Sequence, residues 1–253
     1  MMRPFLIVLF LLTLIKLPAQ SPDQLRSQLR ASYAAGRMNE WEGLIRQLEK
    51  GYETSRNILW LEELAWAEYG YTAYLLHARQ EKKAEQYLKS ALAHAELLLE
   101  LRPGSGGYLA LKSSLTAFRI SLRPLSAPFL GPRSARLMDE AMAADATDPR
   151  VLTEKGLARF YAPSWAGGNP EEAVKLFRTA ASRVPTSNEF LRKSWYYLHL
   201  MVSLGQSLQK TNRNAEAVTL YQNLLKEEPS FEWVKNELLP QAMSSLKNQK
   251  SGT

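Results

Sequence analysis

Met201-x2-Leu204-Gly205-x2-Leu208-x8-Ala217-x3-Tyr221-x2-Leu224-x4-Pro229 decides how this chain of 253 residues folds. Met201, Leu204 and Leu208 recur at intervals of three and four, which places them on one face of a helix. Tyr221 and Leu224 form the matching stripe on a second helix. Gly205 and Ala217 are small, so the two helices can approach closely there. Asn212, Arg213 and Asn214 make the polar turn between them, and Pro229 has no N–H with which to continue a helix. The unit is an antiparallel helical hairpin.

The same back half recurs as Ala173-x3-Phe177-x2-Ala180-x4-Pro185, with Leu152 and Gly156 on the helix before it. Gly156 and Ala173 are 17 residues apart, against 12 for Gly205 and Ala217. The extra five residues fall in the loop APSWAGGNP, 162–170. A weaker copy carries Ser134, Met138 and Ala141 and ends at Asp148-Pro149; another carries Ala91, Ala95, Leu98 and Pro103. One hairpin cannot bury its apolar face alone, so such units stack.

The spacing resembles the 34-residue tetratricopeptide (TPR) repeat. GPRSA (131–135), Asp148-Pro149-Arg150, Gly156, the loop with Pro163 and Gly167-Gly168, and EEAVKLFRTA (171–180) resemble exported bacterial TPR proteins over residues 130 to 230. The same Gly-Gly loop is similar to one in periplasmic TPR subunits of solute transporters. The resemblance implies an all-α, TPR-like α-solenoid of antiparallel helix pairs with a C-terminal capping helix. It implies a non-catalytic scaffold that holds a protein or peptide in a concave groove lined by first helices. Carried over by position, that groove shows Arg150, Thr153, Leu157, Phe160, His199, Val202, Gln206 and Lys210. The basic residues are scattered, so clamping of a C-terminal carboxylate is not expected. The alternative implied function is a small-ligand-binding accessory subunit of a transport system.

Residues 1–20 read as an export signal: Arg3, an apolar run of 11 from Phe5 to Ile15 broken by Thr13, then Leu17-Pro18-Ala19-Gln20. The run is shorter than the ~20 residues of a membrane-spanning helix. Cleavage after Ala19 or Gln20 leaves a mature chain expected in the periplasm or cell envelope, soluble and without a transmembrane segment. The chain has no cysteine, which excludes a lipidated cysteine, disulfides and thiolate metal sites. Formal charge is +7, and +5 without Arg3 and Lys16 (30 basic, 25 acidic). The charges are interspersed, which argues against a nucleic-acid footprint.

Capping signals at Ser21, Pro22 and Gln24 open the mature fold. Helices are expected to about Ala35, then over 41–52, 56–79, 82–101 and 108–122. Together they make N-terminal hairpins over residues 21–122. RPLSAPFLGPR (123–133) holds three prolines and reads as a linker without regular helix, docked by Leu125, Phe129 and Leu130. TPR-like repeats and a capping helix follow over 134–246, with one long helix from Glu189 to Lys210 and a flexible tail over 247–253. No strands are expected.

No residue set for catalysis stands out. His77, His94 and His199 lack metal-ligand spacing, and Glu62-Glu63 point apart on a helix and read as solvated. No cofactor is expected. The loop 162–170 is the segment most able to do something specific, with Trp165 between prolines and glycines. Its plainer reading is a long turn with Trp165 tucked over the hairpin and Asn169 capping the next helix. The partner-contact candidates are therefore Arg150, Thr153, Phe160, Trp165, His199, Gln206 and Lys210. Aromatic clusters around Trp66 and at Trp195-Tyr196-Tyr197 should leave some rings near a groove. Homo-oligomerisation is left open.

Overall fold

The computed structural model describes residues 21–187 and 189–251. The export signal expected at 1–20 lies outside them. Twelve α-helices run in order among the described residues: α1 (Pro22–Ala34), α2 (Trp41–Ser55), α3 (Ile58–His77), α4 (Glu81–Leu101), α5 (Gly106–Leu122), α6 (Ala127–Ala144), α7 (Pro149–Tyr161), α8 (Pro170–Ser187), α9 (Glu189–Arg192), α10 (Trp195–Lys210), α11 (Asn214–Glu227) and α12 (Leu239–Ser251). No described residue is in a strand.

Local chemistry sets the helix starts. Ser21 Oγ accepts from Gln24 N at 3.2 Å, and Gln24 Oε1 accepts from Ser21 N at 2.9 Å. These reciprocal bonds satisfy donors that the first turn leaves open. Asp148 caps α7 by accepting from Arg150 N at 2.7 Å, with Pro149 in the first helical position.

The hairpins α3/α4, α5/α6, α7/α8 and α10/α11 each pack as pairs. Small residues set the close approaches. A Cβ on Gly156 would lie 2.6 Å from the Phe177 ring, and one on Gly205 would run into the Tyr221 ring. From Gly156 to Phe177 is 21 residues and from Gly205 to Tyr221 is 16, so the five-residue loop insertion leaves the contact intact. The aromatic of the second helix, rather than Ala217, fills the space opposite Gly205, while Ala217 itself is buried.

The first helices close into a ring. α1 touches α3, α3 touches α5, α5 touches α7, α7 touches α10, and α10 touches α1. Tyr33 of α1 packs against Trp195 of α10 and Phe231 before α12, each with ring centroids 5.7 Å apart. Arg30 of α1 pairs with Glu228 at 3.2 Å and donates to the carbonyls of Arg192 and Ser194 at 3.0 and 3.2 Å. Those carbonyls are available because the helix expected from Glu189 to Lys210 is broken: Ser194 is extended (φ −94°, ψ 162°) between α9 and α10.

Other expectations change as well. The segment 123–133 is not an irregular linker. Pro124 to Ser126 form a 3₁₀ turn, and α6 begins at Ala127 with Pro128 in its first turn, where no donor is lost, and continues through Pro132. Leu125 and Phe129 do not dock; they are 94 % and 81 % exposed. α8 runs to Ser187, so Pro185 falls in its last turn instead of ending it. The tail is helical to Ser251, with Gln249 donating to Asn212 O at 2.9 Å. Trp195, Tyr196 and Tyr197 are all buried, as are Trp66, Tyr69 and Tyr71, because α10 and α3 are covered on every side.

Candidate functional site

The faces of the first helices that an open solenoid would present as a groove meet one another here. At their centre, Glu154 of α7 accepts from Tyr69 of α3 at 2.9 Å, from Ser114 of α5 at 2.5 Å and from Tyr196 of α10. Burial lifts the Glu154 carboxyl to about 6, against the pull of those three hydroxyl donors. Beside it, Arg150 of α7 pairs with Glu62 of α3, and Tyr108 of α5 donates to the same carboxylate at 3.3 Å. Burial opposes ionisation of Glu62, but Arg150 and Tyr108 hold it below its ordinary range. Glu63 turns the other way and meets Arg26 of α1 at 2.9 Å. Glu62 and Glu63 do point apart, but neither is free in solvent: Glu63 closes a buried ion pair and Glu62 a partly buried one. Burial raises Glu63 despite Arg26.

This arrangement fixes the place of each candidate. Arg150 is mostly enclosed, with 11 % of its side chain exposed, paired with Glu62 and 4.9 Å from the Trp66 ring centroid. Thr153 is fully buried and donates to Pro149 O at 2.6 Å. Leu157 and Val202 are buried. No open groove exists at these positions. His199 is half-buried against Trp195 and Tyr196, and its Nε2 is enclosed with no hydrogen-bond partner. Burial pushes its pKa down to about 4, so it is neutral at pH 7. Gln206 is half-buried on the same helix.

Phe160, Lys210 and Trp165 behave differently. Lys210 Nζ donates to Phe160 O at 3.0 Å and lies 4.6 Å from the Phe160 ring centroid. Tyr161 packs edge-on against Phe160 with centroids 4.8 Å apart and is 69 % exposed. Trp165, in the α7–α8 turn, is 87 % exposed and not tucked over the hairpin. The turn beneath it is well tied: Gly168 N bonds Pro163 O at 3.0 Å, Asn169 N bonds Arg159 O at 2.8 Å, and Arg159 Nη1 bonds Gly167 O at 2.8 Å. Gly167 sits at φ +88°, a conformation that suits glycine. Asn169 does cap α8, accepting from Glu172 N at 3.1 Å. Trp165 thus stands exposed on a firm turn that follows the Phe160–Tyr161 pair at the end of α7.

Against solved structures the chain is similar to TTC0263, a thermophilic TPR protein from Thermus thermophilus. The TM-score is 0.54 at 15 % identity, over 89 % of this chain and 99 % of that one. The fold is that of a tetratricopeptide solenoid. No family model and no curated protein matches the sequence. Among the described residues no group of His, Cys, Asp and Glu is arranged to hold a metal, and no helix is long and apolar enough to cross a membrane. His94 Nδ1 lies 2.7 Å from Glu68 Oε2, within hydrogen-bond distance.

Two residues of consequence escape a reading of the sequence. Glu154 is legible in principle, since Val151 and Leu157 at three residues on either side place it on an apolar face. Tyr161 follows Phe160 at the end of α7, and nothing local distinguishes it from the buried aromatics.

Proposed function

We propose that this protein is an exported, non-catalytic scaffold that binds a protein or peptide partner in the cell envelope. The partner contact is the corner of Phe160, Tyr161, Trp165 and Lys210, with His199 and Gln206 behind it. Arg150 and Thr153 hold the ring in shape and do not touch the partner. The single observation that supports this reading is the exposure of Trp165 on a turn tied down by backbone hydrogen bonds. Tryptophan and tyrosine are enriched among the residues that dominate binding energy, and a rigid base lowers the entropy cost of docking.

A photo-crosslinking amino acid at position 165, irradiated in intact cells, tests the contact. A discrete crosslinked partner in the envelope fraction, lost with Tyr161→Ala and Lys210→Ala, is the expected result. No crosslink at 165 alongside efficient crosslinks elsewhere would move the contact away from this corner. Sequencing the N-terminus of the cell-derived protein tests export, with Gln20 or Ser21 expected first. The alternative, a solute-binding accessory subunit, would require groups that enclose the ligand. The exposure of Trp165 favours a broad macromolecular partner instead.

A further inference from the structure

Leu125 and Phe129 are two of the three most exposed large apolar side chains among the described residues. They lie four residues apart, across the 3₁₀ turn and the first turn of α6, so they project from the same side. Pro124, Pro128 and Pro132 stiffen the backbone that carries them. α6 packs one face along α5, and of its 18 residues only Met138 and Ala141 are buried, both beyond its first two turns. The knuckle at its start is therefore a rigid, protruding apolar lip.

Cations surround it. Arg133 follows Phe129 at an interval of four on α6, which keeps it on its face, and one turn further Arg136 pairs with Glu140 at 3.7 Å. Behind the lip, α4, α5 and α6 enclose a cleft of about 420 Å³ whose floor includes Leu88, Leu92 and Leu122. Its two carboxylates are already engaged, Glu85 with Arg123 and Glu96 with Lys112 at 3.3 Å. Lys89, Arg119 and Arg133 line the same cleft, are exposed, and meet no carboxylate among the described residues. The local balance is positive.

We propose that this knuckle anchors the protein to the surface of an anionic bilayer. Leu125 and Phe129 insert at the level of the acyl-chain boundary, while Lys89, Arg119 and Arg133 contact lipid phosphates. Interfacial anchors combine those two terms, apolar insertion and attraction to anionic lipid. The unpaired cations of Lys89, Arg119 and Arg133 behind two apolar anchors match the surface of an anionic bilayer. A protein partner needs pockets matched to protruding anchors, within an interface of about 800 Å² on each side. A fluid bilayer receives protruding side chains without a matched pocket. The inference concerns other residues than the Trp165 corner and stands whether or not that corner binds a partner.

Vesicle co-sedimentation tests it. The chain from Ser21 onward is used: it carries the capping box of α1 and both core clusters of the described residues, and the apolar run before it would itself bind lipid. Binding is expected to vesicles containing phosphatidylglycerol and to be much weaker with pure phosphatidylcholine. Leu125→Ser with Phe129→Ser should lower the affinity about tenfold or more. Arg119→Gln with Arg133→Gln should remove the preference for phosphatidylglycerol, and high salt should weaken wild-type binding. Unchanged melting temperatures will show that these exposed changes leave the fold intact. Absence of vesicle binding overturns the proposal, as does binding that survives the Leu125/Phe129 double change. Capture of an acidic protein through this lip by a chain that ignores vesicles overturns it too.

Discussion

α7 and α6 are neighbours in sequence and opposites in use. α7 has 13 residues, and seven of them are buried, including Glu154. α6 has 18 residues, and two are buried. The difference comes from position. α7 belongs to the closed ring and has protein on both sides, so even its polar face must find partners inside. α6 lies on the outside: one face packs along α5, and its first turn leaves Phe129 in solvent. Where the repeat pattern implies a groove the chain binds itself, and where it implies a docked linker the chain offers apolar side chains to the surroundings.

The largest effect that would break this contrast is at Arg150. If Arg150 closes the ring, Arg150→Ala leaves the mostly enclosed Glu62 without its cation and should cost about 2–4 kcal/mol by denaturant unfolding. A groove-lining, solvent-exposed arginine would cost under about 0.5 kcal/mol. Next comes Gly205→Leu, which drives a side chain into the Tyr221 ring. It should destabilise by about 1–3 kcal/mol or more through overpacking, seen as a fall in melting temperature. An unchanged melting temperature would mean that the α10–α11 approach is looser than described.

His199 provides a pH-dependent test of the ring's interior. Its folded pKa, about 4, lies below the unfolded value of 6.5. Between those values the unfolded chain takes up the proton first, so stability falls with pH across that window. His199→Gln removes this loss. The variant should gain about 2 kcal/mol relative to wild type between pH 7 and pH 5. Glu154 acts with the opposite sign. Its folded pKa is raised from 4.5 to about 6, so acidification through that interval stabilises the fold. A His199 difference that did not grow on acidification would place the imidazole in water. The smallest effect belongs to α6: Phe129→Ser should change stability by less than about 0.5 kcal/mol, because the ring packs against nothing it would lose.

The hairpins are legible in the sequence because helical period and small–large pairing are local signals. Gly205 with Tyr221, and Gly156 with Phe177, carry them in the side chains themselves. Caps at Ser21, Asp148 and Asn169 are legible for the same reason. Closure is not. It depends on a small rotation from one hairpin to the next, summed over the array, and no short window of sequence records that sum. The consequence falls on polar residues: Glu62 and Glu63 read as surface, the apolar flanks of Glu154 say that it is covered but not by what, and all three take part in the ring. A hint exists in α3, which is apolar nearly all round from Leu61 to Leu75 and so has to be covered on every side. The prolines of 123–133 signal less than a break, since two of them stand in first turns, where proline is tolerated. Of the site, the loop of Trp165 is marked by its glycines and prolines, but its exposure depends on how the hairpins stack.

The central claim is that α1 returns to α10 and closes the ring. The chain has no cysteine, so Ser27→Cys on α1 and Ser230→Cys after α11 accept spin labels cleanly. Both serines line one surface cleft at the closure. Electron–electron dipolar spectroscopy should return one narrow distance below about 25 Å, as for neighbouring helices ~10 Å apart plus label length. An open array of five hairpins at that spacing would return about 40 Å, and that result would contradict the account.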